Sequence, residues 1–100
     1  MIVRKHVSQD GRLILAVCDK SIIGKKFSEK NLQLDLSSDF YNGKEMDESD
    51  AAELMKKAFV INLVGEKSIA LAQKLNFMDK ENAVRIKGIP HAQVLFAEDL

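Results

Sequence analysis

Residues 12 to 18 constrain the fold more than any other stretch. In a strand, Leu13, Leu15 and Val17 point one way while Ile14, Ala16 and Cys18 point the other, so neither face is wet. Such a strand belongs in the centre of a sheet. Residues 2 to 7 form a second strand, and Ser8-Gln9-Asp10-Gly11 carries the Asp-Gly signal of a tight hairpin turn that returns the chain antiparallel.

Further along, Asp19 to Phe27 lacks a clean period and reads as a connection in which Gly24 can end a single helical turn. Leu32, Leu34 and Leu36 alternate with Gln33 and Asp35, which is a third strand with one wet face. Ser37-Ser38-Asp39 and Asn42-Gly43 mark loop. A helix follows, capped by Asp47 or Ser49, with Glu48 and Asp50 in the first turn, where the helix dipole favours acid. Its apolar stripe is Ala51, Leu54, Met55, Ala58 and Phe59. A second helix starts near Asn62 or Gly65 and runs to Leu75, with Val64, Leu71, Ala72 and Leu75 as its stripe.

The last quarter holds two strands around a turn that includes Gly88 and Pro90. Val84 and Ile86 alternate with Arg85 and Lys87, and Ala92, Val94 and Phe96 continue the apolar face. The expected fold is therefore α+β, one domain over residues 1–100: a mainly antiparallel sheet of about five strands with two helices packed on one face. Its expected core is Leu13, Leu15, Val17, Leu54, Met55, Leu71, Val84, Ile86 and Val94.

Composition bounds function mainly by exclusion. Apolar runs such as Ala58-Phe59-Val60-Ile61 fall far short of the roughly 20 residues that cross a bilayer, so no membrane segment is expected. The amino terminus lacks the pattern of a signal peptide, and a single cysteine, Cys18, forms no internal disulfide; both point to the cytoplasm. Fifteen basic and fifteen acidic residues give a net charge of zero, so any nucleic acid must be met by a local patch.

Four short segments carry a resemblance: Gly88-Ile89-Pro90-His91-Ala92-Gln93-Val94, Asn62-Leu63-Val64-Gly65-Glu66, Ala16-Val17-Cys18-Asp19 and Gly24-Lys25-Lys26-Phe27. Together, in this order, they resemble a small archaeal family catalogued as a domain of unknown function. The resemblance implies an archaeal cytosolic protein of about this length, working near the translation machinery. It brings no catalytic residue or ligand to carry over.

The chemistry must be read residue by residue. Cys18 with His91 would be a nucleophile and base if something lowered the thiol pKa, yet a cysteine on an apolar strand ordinarily acts as a small hydrophobe. His6, His91 and Cys18 match no metal-ligand spacing, so neither metal nor cofactor is expected. Asn62, Gly65 and Lys67 at a helix start can aim amides and charge at an anion, against the plainer reading of an ordinary cap; no nucleotide-binding motif accompanies them. Lys25 and Lys26 beside Phe27 suit a backbone-and-stacking contact to RNA, against a solvated loop anchored by Phe27. With Arg4, Arg85 and Lys87 they make the expected basic patch, and His91 with Gln93 is a further candidate pair. The expected function is an RNA- or ribosome-associated binding module of archaeal translation. The alternatives are an adaptor for protein alone, or a small enzyme using Cys18 and His91. Oligomeric state is not legible from the sequence.

Overall fold

A computed structural model describes residues 1–96. Its sheet is built outward from the doubly apolar strand. β1 (Ile2–Val7) and β2 (Leu13–Cys18) pair antiparallel, with Val3 opposite Val17 and His6 opposite Ile14. The hairpin closes through Ser8, whose amide donates to the Arg12 carbonyl at 2.9 Å. Past β2 the chain makes a two-stranded hairpin, β3 (Lys26–Glu29) and β4 (Leu32–Asp35), then a short edge strand, β5 (Lys44–Glu45), beside β1.

Helix α1 (Glu48–Met55) starts where Asp47 accepts the Asp50 amide at 2.8 Å. It leads into β6 (Val60–Val64), which runs parallel to β2 with Ile61 opposite Leu15. Helix α2 (Glu66–Lys74) follows, then the hairpin of β7 (Val84–Ile86) and β8 (Ile89–Leu95). The order across the main sheet is β5-β1-β2-β6-β8-β7, and only the β2–β6 pairing is parallel.

Both helices lie over one face. There Leu15, Val17, Ile61, Leu63 and Val94 pack with Ala51, Met55, Ile69 and Ala72. The opposite face is covered in part, because Leu34 and Leu36 of the β3–β4 segment, with Tyr41, close over Ala16, Cys18, Val64 and Ile86. This second cover is why β2 needs apolar side chains on both sides.

Three sequence expectations are revised. Val60 to Val64 is a strand, so the second helix begins only after Gly65; Val64 is a sheet residue buried in the second cluster. The last turn is the two-residue pair Lys87-Gly88, both at positive φ (53° and 78°), so Pro90 lies inside β8 opposite Arg85. Ile86 therefore shares its face with Ile89 and His91, while Ala92 and Val94 turn to the helices, and the expected continuous face does not form. Of the expected core, Leu15, Val17, Met55, Leu71, Ile86 and Val94 are buried, Leu13 and Leu54 are half-buried, and Val84 is 55% exposed.

Candidate nucleic-acid interface

The expected cations are scattered by the fold. Arg85 lies on the helix side of β7, where its Nη1 donates to Glu66 Oε1 at 2.7 Å and to the Gly88 carbonyl at 2.8 Å. Lys87 sits in the turn, with its amide 3.3 Å from Glu29 Oε1, so it does not share a strand face with Arg85. Lys25 and Lys26 are exposed at the start of β3, and Phe27 packs its ring into the second core cluster. Arg4 lies within a concentration of positive charge that Lys5 and Lys44 share.

That concentration is the β1–β5 edge. Because β5 pairs only with Ile2 and Val3, the rest of β1 is left at the border of the sheet. Arg4 Nη1 donates to the Asn42 carbonyl at 2.8 Å, which fixes the guanidinium beside the loop leading into β5. A groove of about 660 Å³ runs along this edge, and Arg4, Lys5 and Lys44 line it with a single acid, Asp50. Arg4, Lys5 and Lys44 form no ion pair among the described residues.

An aromatic pair adjoins Arg4, on the face of the sheet opposite Lys5 and Lys44, which lie on the side of core-facing Leu15 and Val3. His6, two residues after Arg4 and hence on the same face of β1, stacks on Phe40 with ring centroids 4.6 Å apart and planes 10° from parallel. His6 Nε2 lies 3.0 Å from the Phe40 carbonyl; since a carbonyl only accepts, Nε2 carries the proton. Tyr41, edge-on to Phe40 at 5.1 Å, is buried and anchors the turn, while Phe40 stays 37% exposed.

The other expected sites resolve differently. At the start of α2, the amides of Lys67 and Ser68 donate to the Asp19 carboxylate at 2.9 and 2.8 Å, and the Ser68 hydroxyl adds a bond of 2.7 Å. These donors are therefore filled by the chain's own acid. Asn62 stands on β6, where its Oδ1 accepts from Gln93 Nε2 at 3.3 Å. The neighbouring cleft of about 580 Å³ places Lys20, Lys67 and Lys74 among Asp19, Glu45, Asp47 and Glu48, a mixture that does not favour a polyanion.

Cys18 is fully buried, and burial first, then the Asp19 carboxylate, pushes its thiol up to about 12. Cys18 pairs with Val64 and Val64 with His91, so cysteine and histidine stand two strands apart, about 10 Å at the usual strand spacing. That is beyond hydrogen-bond reach. Among the described residues no group of three histidine, cysteine or acidic side chains is placed to hold a metal. None of their helices is long and apolar enough to cross a membrane.

Sequence reading singled out Arg4 but missed His6 with Phe40, 34 residues away. The one available signal was the aromatic pair Phe40-Tyr41 inside a loop of serine, aspartate, asparagine and glycine.

These features define an α+β protein with a mixed six-stranded sheet, helices on one face and a small hairpin on the other. The chain belongs to the family described as "Protein of unknown function (DUF424)", whose model matches residues 6–96. It is similar to the crystal structure of an uncharacterized conserved protein from Methanopyrus kandleri, with a TM-score of 0.81 and 25% identity over 99% of this chain and 95% of that one. No curated protein matches it.

Proposed function

We propose that the protein is a small RNA-binding module, an accessory of archaeal translation, that engages single-stranded RNA along its β1–β5 edge. The observation that carries this reading is the part-exposed Phe40 ring, stacked on His6 on the face of β1 that also carries Arg4, with Lys5 and Lys44 around the same sheet edge on its helix side and no ion pair to any of the three among the described residues. Phosphates are met by the three cations and a base stacks on Phe40, with His6 holding that ring in place. The contact is local, as a chain of zero net charge requires. The crystal structure from an archaeon, Methanopyrus kandleri, agrees with the archaeal part of the reading.

Amide chemical-shift mapping with a single-stranded oligouridine tests the location. Shifts should concentrate in residues 4–6 and 39–45. Shifts confined to Lys25, Lys26 and Lys87 would move the interface to the β3–β4 side, and an unperturbed spectrum would remove the RNA reading. A protein-only adaptor would then lead.

A further inference from the structure

The sheet's other border is built differently. Residue pairing between β7 and β8 stops at Val84 opposite His91, so β8 from Ala92 to Leu95 has no strand on its outer side among the described residues. The Gly65 amide donates to the Pro90 carbonyl and the Phe96 amide to the Phe59 carbonyl, which shows that even-numbered residues of β8 face β6. The odd-numbered Gln93 and Leu95 therefore turn their amides and carbonyls outward. None of these four groups has a hydrogen-bond partner among the described residues.

Exposed edges are commonly blunted by lysine, proline or a covering element. The β1 border has Lys5 and the short strand β5, whereas this one offers Ala92-Gln93-Val94-Leu95. Leu95 is 66% exposed and Val84 55%, and a hollow of about 440 Å³ beside them has walls of Phe77, Met78 and Asn82. No residue lining it carries a fixed charge, and burial lowers the pKa of His91.

We infer that this edge is a self-association surface, on which a second copy of the chain adds its own β8 antiparallel. A two-fold axis at Val94 sets Gln93 of each copy opposite Leu95 of the other. That register gives each outward amide a carbonyl and each carbonyl an amide, in reciprocal hydrogen-bonded pairs. The segment has the extended, uncharged character that the hollow requires, and a net charge of zero puts no long-range repulsion between copies. The window is short, since β7 begins opposite His91, so the dimer forms at high concentration rather than as an obligate assembly. The two β1–β5 edges then lie at the far ends of one continuous sheet, and self-association is independent of the RNA reading.

Sedimentation equilibrium from micromolar to millimolar protein, with amide exchange followed in parallel, tests the inference. The dimer fraction should rise with concentration while the Gln93 and Leu95 amides become protected in step. Gln93→Pro removes an outward amide without touching the β6 ladder, and Leu95→Lys puts charge on the edge. Each should weaken association by at least about tenfold, or roughly 1.4 kcal/mol. If Gln93→Pro does not fold, Leu95→Lys decides. A protein that stays monomeric at millimolar concentration overturns the inference, even if the edge then accepts an extended segment of another protein. So does a dimer that leaves both amides exchanging freely or tolerates both substitutions.

Discussion

Oδ1 of Asp19 accepts both the amide and the hydroxyl of Ser68, at 2.8 and 2.7 Å, across 49 residues of chain. The end of β2 thereby caps the helix that follows its parallel neighbour, β6, and Ser68 is fully buried. Replacing Asp19 with Ala should cost about 2–3 kcal/mol, combining a lost cap with buried donors left unpaired. Urea denaturation checks this. Gly65→Ala should also destabilise, because a Cβ there overlaps the Asp19 carboxylate and the residue's φ is 109°.

Packing separates two neighbours on α1. Met55 is fully buried and Leu54 only half, so Met55→Ala should cost about 2–5 kcal/mol and Leu54→Ala clearly less. Equal losses in thermal melts would contradict the placement of the helix. Leu36→Ala, on the opposite face, should fall in the larger class, since Leu36 is 1% exposed beneath the β3–β4 cover.

Native Cys18 should label slowly with a thiol reagent at neutral pH. Its sulfur is inaccessible and its pKa is pushed up to about 12, so reaction waits on opening of the fold. Labelling should accelerate in denaturing urea. A fast native reaction would reopen the enzyme reading.

His91 makes stability fall with acid. Burial lowers its folded pKa below 6.5, so between that lower value and 6.5 the unfolded chain binds more protons and stability drops as pH decreases. His91→Gln should flatten this part of the curve of urea midpoint against pH. An unchanged slope would show that another group is responsible.

Elements whose local pattern matches their tertiary role were legible in the sequence. β1 and β2, the Asp-Gly turn between them and the Asp47-capped start of α1 follow from alternation, turn chemistry and helical spacing, whereas the helix ends at Met55, before Ala58 and Phe59 of the expected stripe. β6 was hidden because Val60-Ile61-Asn62-Leu63-Val64 is covered on both faces and so lacks a two-residue period, while Asn62 imitates a helix cap. In the last hairpin everything turned on a single residue of register: placing the turn at Lys87-Gly88 moves Ala92 and Val94 to the other face. The candidate site was half visible. Arg4 could be found as a cation, but its partner ring Phe40 arrives through a loop whose docking on β1 has no local signature.

The most direct test of the central claim is the affinity for a fluorescent single-stranded oligouridine measured against salt. Binding by wild-type protein should be measurable at about 50 mM salt, with a log–log slope near −2 if Arg4, Lys5 and Lys44 each neutralise one phosphate. Lys5→Glu with Lys44→Glu should abolish it, and Phe40→Ala should weaken it by about 1–3 kcal/mol, the range for loss of one stacked base. Arg85→Glu with Lys87→Glu, outside the edge, should leave it nearly unchanged. No binding by the wild-type protein at that salt, or equal binding by the Lys5, Lys44 double variant, would contradict the account.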